Sequence, residues 1–102
     1  EGEVDIIAEK KTKKPQMYHV ILLNDDYTPM DFVVWVLQRI FFKNKEDSMR
    51  LMMQVHQKGQ ASCGLFPYEV AYMKRTQVHQ MAEKHEHPLQ CRLAPEEGVD
   101  EA

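Results

Sequence analysis

An apolar stretch, Tyr18–Leu23, runs directly into a paired acidic cluster, and this junction constrains the fold of the chain more than any other feature. Its aliphatic and β-branched side chains favour a mostly buried strand. The following string, Asn24–Met30, begins with an asparagine and two aspartates and ends in a helix-start pattern. Thr28 is suited to cap the helix, and Pro29 fits its first position. The pattern predicts a fixed acidic loop between a strand and a helix, a place that favours ligand binding.

Length and composition limit the class of protein. The chain has 102 residues, of which 43% are hydrophobic, and this suffices for one small domain with one core. A net charge of −3 argues against nucleic acid or an anionic membrane as the main partner. No signal peptide and no membrane-spanning run is recognised, so a cytoplasmic location is expected. Cys63 and Cys91 lie in strand-like contexts without CxxC spacing, which predicts two buried thiols rather than a disulfide.

The two ends of the chain differ in character from its middle. Residues 1–16 are charged and aperiodic, which predicts a flexible N-terminal tail. Residues 95–102 are acidic and are predicted to form a loose C-terminal tail. Residues 17–94 are therefore expected to form the folded domain.

Within that domain, periodicity predicts six elements: strand 18–23, helix 29–42, helix 45–58, strand 60–66, helix 67–84 and strand 88–94. This order predicts an α+β fold in which a small, three-stranded antiparallel sheet packs against three helices. In the first helix Trp35 and Phe42 lie almost opposite Val33. Two outcomes are open for this aromatic pair: joint exposure on the outer face as a partner or self-association surface, or partial burial under the N-terminal tail.

Catalysis and metal binding are weak alternatives. A cysteine nucleophile with a histidine base is conceivable from Cys63 and His56, but no set of oxyanion donors accompanies them. The cluster of His79, His85, His87 and Cys91 has a composition that binds zinc, but it lacks the paired ligand spacing of zinc sites. A structural role at a helix end is favoured for the histidines. No enzyme, metal or cofactor is therefore expected. A generic protein-interaction domain or a zinc-binding protein stays open as the alternative.

One constellation does indicate a ligand. Hydrogen-bond acceptors lie next to apolar side chains in the set Asn24, Asp25, Asp26, Thr28, Met30, Met52, Val55 and His56. Acceptors beside an apolar cavity suit a ligand with an ammonium head and an apolar body. A protein N-terminus that begins with a bulky apolar residue is such a ligand, because its α-amino group is mostly charged at neutral pH.

The stretch from Tyr18 to about Leu93 also resembles a known family. The residues that carry the resemblance are Val-Ile-Leu-Leu-Asn-Asp-Asp-Tyr-Thr-Pro-Met from Val20, Met-Met-Gln-Val-His from Met52 followed by Gly59, Cys63-Gly64, Glu69-Val70-Ala71, Lys74, and His87-Pro88-Leu89. They resemble the ClpS family of protease adaptors. The resemblance implies a monomeric, non-enzymatic adaptor that binds N-end rule substrates with a first residue of Leu, Phe, Tyr or Trp. It would deliver them to a Clp AAA+ unfoldase–protease, in proteobacteria through the N-terminal domain of ClpA.

The resemblance also implies a role for individual residues. It assigns the α-amino contacts to Asn24, Asp26 and His56, and a negative field to Asp25. The side-chain pocket is implied to consist of Thr28, Met30, Val33, Met52, Val55 and Leu89. Glu69 and Lys74 correspond to the unfoldase-docking surface, where Tyr72 and Met73 depart from the family's pattern. The N-terminal tail is implied to serve delivery rather than binding.

Overall fold

A computed structural model describes residues 14–97, so most of both predicted tails lies outside the described residues. Its elements, in chain order, are strand β1 (Met17–Leu23), helix α1 (Met30–Arg39), helix α2 (Lys45–Lys58), strand β2 (Gln60–Pro67), helix α3 (Tyr68–Lys84) and strand β3 (Gln90–Pro95). The predicted order and type of all elements are confirmed. In this part of the chain no helix is long and apolar enough to cross a membrane.

The three strands form one antiparallel sheet with β1 in the middle, in the order β2-β1-β3. The acidic loop therefore follows the central strand. Val20 and Leu22 alternate along β1 and are fully buried. Side chains two residues apart point to the same face of a strand, so these two anchor the sheet to the core. The predicted antiparallel sheet is confirmed.

The hydrophobic core is shared by the sheet and all three helices. Helix α1 contributes a broad apolar stripe at helical spacing, as predicted. The buried helical side chains are Phe32, Val33, Val36, Leu37, Leu51, Met52, Val55, Ala71, Val78 and Ala82. Helix α1 packs against α2, and Val33 lies near Met52 and Val55, so the start of α1 is beside the C-terminal half of α2.

The first helix ends earlier than predicted. The prediction placed the end at residue 42, but α1 stops at Arg39. Phe42 has a left-handed φ of 54°, and the backbone N–H of Lys43 donates to the carbonyl of Leu37 at 3.0 Å. The ammonium of Lys74 donates to the carbonyl of Ile40 at 2.7 Å. A helix stop made by an aromatic residue and a distant lysine has none of the usual sequence signals, which are glycine or asparagine.

Exposure of the aromatic pair is confirmed for Phe42 but not for Trp35. Phe42 is 78% exposed. Trp35, in contrast, is partly buried against the core and stacks on Phe32 with ring centroids 5.7 Å apart. Rotation by 100° per residue predicts which side of a helix a residue lies on. It does not predict that Phe32 and the end of α3 cover that side.

Candidate functional site

Asp25 organises the acidic loop. Its Oδ1 accepts hydrogen bonds from the backbone N–H groups of Tyr27 (2.8 Å) and Thr28 (2.7 Å), and its Oδ2 accepts one from the Thr28 hydroxyl (2.8 Å). This is the aspartate turn that a carboxylate makes with the backbone two and three residues on. The loop is therefore fixed by its own side chain.

The predicted helix cap by Thr28 is wrong. Its hydroxyl donates to Asp25, and α1 begins at Met30 with Pro29 in the cap position and no side-chain cap. The carbonyl of Pro29 accepts instead from the N–H groups of Phe32 and Val33. The hydrogen bond to a charged acceptor holds the Thr28 side chain toward Asp25.

These contacts keep the carboxyl group of Asp25 ionised. Partial burial works to raise its pKa, but the hydrogen bonds from Thr28 and Tyr27 and the nearby His87 outweigh burial and lower the pKa. The pKa of Asp25 therefore lies below its ordinary value, and the loop carries a fixed negative charge at neutral pH.

The loop is joined to the end of α2. Gly59 ends that helix with a φ of 92°, a conformation that glycine adopts without strain. Its carbonyl accepts from the backbone N–H of Asn24 at 3.0 Å. Asn24 is thus held beside the last turns of α2, where Val55 and His56 lie. This contact continues the ladder between β1 and β2, in which Leu23 pairs with Gln60, and it brings the acidic loop to the end of α2.

A cavity of about 210 Å³ opens between the loop, α1 and α2. It is several times larger than the ~30 Å³ that a water molecule occupies in the liquid. The lining residues are Asn24, Asp25, Asp26, Thr28, Met30, Val33, Met52, Val55 and His56. All of the predicted amino-binding and pocket residues are therefore brought together except Leu89.

The cavity has an apolar interior and a polar mouth. Val33, Met52 and Val55 are buried, whereas the residues at the mouth, Asn24, Asp26 and His56, are exposed. Within residues 14–97, none of the side-chain hydrogen bonds uses any of these three polar side chains. The fold therefore keeps an amide, a carboxylate and an imidazole free at the entrance of an apolar cavity.

The remaining predicted site residues lie elsewhere. Leu89 is buried just before β3 and lines a separate depression with His79 and Glu86. Glu69 is exposed in the first turn of α3. Lys74 lies one turn further along α3 and is half-buried, and burial lowers its pKa. Its ammonium already has an acceptor in Ile40, so at least part of its role is to stabilise the end of α1.

The residues of the zinc and cysteine alternatives are dispersed. His79 accepts a hydrogen bond from the backbone N–H of Cys91 at 3.1 Å, whereas His85 and His87 pack against Phe32. In the described part of the chain, no three His, Cys, Asp or Glu side chains gather as a metal site would require. Burial raises the pKa of the Cys63 thiol to about 12, so this group is protonated and is not a nucleophile. The predicted buried, unpaired thiols are confirmed.

Sequence reasoning missed two contributors to the site. One is the role of Asp25 in holding the loop, although an aspartate two residues before a tyrosine and three before a threonine is a known turn signal. The other is His87, which comes close enough to Asp25 to affect its pKa. No sequence signal links these two residues, because they are brought together only where the segment after α3 packs against Phe32 of α1.

Comparison with known proteins is consistent with this geometry. Residues 13–92 match the family described as ATP-dependent Clp protease adaptor protein ClpS. The ClpS adapter protein of Rhodospirillum centenum is 58% identical over 90 residues, covering 88% of this chain and 83% of that protein. The one from Caulobacter vibrioides strain NA1000 is 55% identical over 86 residues, covering 84% and 79%. The structure of Agrobacterium tumefaciens ClpS2 bound to L-phenylalaninamide matches with a TM-score of 0.79 at 34% identity, covering 81% of this chain and all of that one.

Proposed function

The chain belongs to the ClpS family of Clp protease adaptors, which are not enzymes, and from this premise we propose that its cavity binds the first residue of substrate proteins. The ligand in this proposal is a free α-amino group together with a bulky hydrophobic side chain, namely Leu, Phe, Tyr or Trp. The protein would then deliver the bound substrate to a ClpA-type AAA+ unfoldase in the cytoplasm.

The observation that carries the proposal is the combination of unengaged acceptors and an apolar interior. Asp26 and the carbonyl of Asn24 are suited to accept from an ammonium group, and the charge of Asp25 adds a favourable field. Val33, Met52 and Val55 offer a surface that excludes water from an apolar side chain. The solved relative supports the same ligand, because phenylalaninamide presents an α-amino group and an aromatic side chain.

Fluorescence anisotropy of labelled peptides tests the proposal directly. A Phe-starting peptide is compared with its N-acetylated form. Acetylation removes the charge and leaves acceptors unpaired, which costs roughly 2–4 kcal/mol, or a loss of about 30- to 1000-fold in affinity. A second series changes only the first residue, with Leu, Phe, Tyr and Trp expected to bind and Ser not. An acetylated peptide that binds as well as the free one would disprove amino-group recognition.

A matched pair of variants locates the binding site. Asp26→Asn removes the charge at the mouth of the cavity with little change in shape, so it should weaken the free peptide and leave the acetylated one almost unaffected. Asp31→Asn makes the same change in the first turn of α1, outside the cavity, and serves as the control. Equal effects of the two variants would mean that general charge, and not this site, attracts the peptide.

For delivery, we assign the unfoldase contact to the start of α3. Glu69 is exposed there, and Lys74 lies on the same helix with its ammonium held by Ile40. Glu69→Lys should impair degradation of a Phe-starting substrate by the unfoldase–protease while leaving peptide affinity unchanged. Lys74 is a less suitable choice for this test, because its removal also leaves the Ile40 carbonyl without its partner. Unimpaired degradation with Glu69→Lys would place the docking surface elsewhere.

A further inference from the structure

A groove of about 830 Å³ lies between α1 and α3, away from the amino-binding cavity. We call it the α1–α3 groove; its principal lining residues are Trp35, Arg39, Phe42, Met73, Met81 and Lys84. It shares no lining residue with the cavity. The proposed peptide ligand therefore leaves this groove unoccupied.

The groove exposes apolar surface that the fold does not need to expose. Phe42 is 78% and Met73 48% exposed. Phe42 also holds a left-handed φ of 54°, which is unfavourable for a bulky residue. The unusual backbone therefore turns an aromatic ring out into solvent, beside Lys74, whose ammonium lies 4.7 Å from the ring centroid. Exposed apolar surface of this kind marks a place where another segment packs.

The charge of the groove indicates what kind of segment fits. Arg39, Lys74 and Lys84 line it, and none of the described residues that line it is acidic. A complementary segment combines acidic and aliphatic side chains. The first nine residues of this chain, Glu-Gly-Glu-Val-Asp-Ile-Ile-Ala-Glu, contain four acidic residues and no basic one, together with Val4, Ile6 and Ile7. The C-terminal residues 98–102 are also acidic, but Val99 is their only large apolar side chain.

The N-terminal segment is also within reach of the groove. The chain enters the fold at Met17, which pairs with Pro67 immediately before α3. Phe66 precedes Pro67 on β2, and its ring centroid is 5.8 Å from the ammonium of Lys74 in the groove. Residues 10–16 form a connection of seven residues, which spans up to about 23–25 Å when extended. A tether this short keeps the segment at a millimolar effective concentration near the groove.

We propose that the α1–α3 groove binds the chain's own N-terminal segment, Glu1–Glu9. Ile6 and Ile7 pack against Phe42 and Met73, and the acidic side chains face the basic residues of the rim. This contact is intramolecular and independent of the ligand in the amino-binding cavity.

Paramagnetic broadening in NMR spectra tests the contact in the full chain. Glu3→Cys provides a thiol for a nitroxide label, and labelling is selective because Cys63 and Cys91 are buried. The chain has a single tryptophan, so the indole N–H of Trp35 is one resolved reporter in the groove. We expect the label to broaden Trp35 and the methyl of Met73 and to spare the methyl of Met52 in the cavity. Adding Ile6→Ser and Ile7→Ser to the labelled chain should restore both groove signals.

Three results would overturn the proposal. No selective broadening at the groove would mean that the segment does not bind there. Broadening that persists with Ile6→Ser and Ile7→Ser would show that these side chains do not make the contact. In a third sample, isotope-labelled chains without a nitroxide are mixed with nitroxide-labelled chains that carry no isotope. Broadening of the groove signals in this mixture would show that a second copy supplies the segment. A peptide titration on every variant confirms that the cavity, and hence the fold, is intact.

Discussion

Asp25 and Asp26 are neighbours with the same side chain, but the fold gives them different tasks. Asp25 holds the loop through three hydrogen bonds, whereas Asp26 faces the cavity mouth without an internal one in the described part of the chain. Asp25→Ala should therefore lower the free energy of unfolding by about 1–3 kcal/mol and also weaken peptide binding. Asp26→Ala should weaken peptide binding with little effect on stability. Urea denaturation and anisotropy measure the two quantities, and similar stability losses in both variants would contradict this division.

The same contacts give Asp25 a pH signature. Its pKa is lowered in the folded protein from an ordinary value of 3.8. A carboxyl with a lowered pKa contributes stability that is complete above its unfolded pKa and is lost as pH falls through the folded value. The stability difference between the native chain and Asp25→Ala should thus be constant above about pH 5 and shrink below about pH 4. A difference that grows on acidification would show that the charge of Asp25 does not stabilise the loop.

Met30 is the residue expected to select among first side chains. It lines the cavity at the start of α1, directly after the acidic loop. Val and Ile are branched at Cβ and stiff at χ1, so they cannot turn their bulk away from a wall there. Met30→Ala should raise affinity for Ile- and Val-starting peptides relative to Leu while costing some packing against Leu and Phe. If all of these peptides weaken by the same factor, selection lies with another residue.

At this scale the sequence predicted the residues of the cavity better than their contacts. The loop residues are consecutive, and Met52, Val55 and His56 share one helical stripe, so local geometry alone groups them. The cap prediction for Thr28 fails because its hydroxyl donates to Asp25 within the loop, and α1 begins at Met30 with Pro29 in the cap position. Leu89 was predicted to line the cavity but lies outside it. It follows α3 in the chain, so its distance from the cavity depends on how α3 packs.

At the scale of elements, His79 joins α3 to the edge strand β3. Its Nε2 accepts from the backbone N–H of Cys91, which requires an unprotonated nitrogen. Burial lowers the pKa of His79, and the charge of Arg75 lowers it further. The folded state therefore resists protonation. The stability contributed by this contact is complete above the unfolded pKa near 6.5 and is lost as pH falls through the folded pKa.

Replacing the histidine should remove that pH dependence. We expect His79→Gln to lose roughly 1 kcal/mol of unfolding free energy at about pH 7.5 and to show a shallower loss of stability between about pH 7.5 and pH 5. His56→Gln is the control, because His56 is exposed and, unlike His79, makes no side-chain hydrogen bond in the described part of the chain. Urea midpoints at several pH values provide the measurement. Parallel pH profiles for the native chain and His79→Gln would disprove the role of this contact.

Element order was predictable because hydrophobic periodicity and the glycine stop at Gly59 are local signals. The end of α1 was not predictable, because it is stabilised by Lys74, which lies 34 positions after its partner Ile40. The burial of Trp35 depends likewise on His85 at the end of α3, whose ring centroid lies 5.9 Å from that of Trp35. Tertiary contacts of this kind change the exposure of a helix face, but they do not alter the hydrophobic periodicity of its sequence.

For the molecule as a whole, the two thiols report on global opening. Cys63 is on β2 and Cys91 on β3, so they flank the central strand on both sides. They are only 1% and 5% exposed, and burial raises the pKa of each to about 12. Neither thiol is able to react with a disulfide reagent in the folded state, because reaction requires an accessible thiolate. The sheet has to separate from the helices before either sulfur is reached.

Thiol labelling should therefore depend on ligand binding at the distant cavity. A ligand that binds only the folded state, present at about 100 times its Kd, lowers the unfolded population by about a hundredfold. A Phe-starting peptide at this concentration should slow the labelling of both cysteines by that factor, whereas its acetylated form should not. Asp26→Ala, which retains the fold but lacks the amino contact, should show no slowing at the same concentration. Rapid labelling of either cysteine in the peptide-bound native chain would mean that a local opening, and not global unfolding, exposes the sheet.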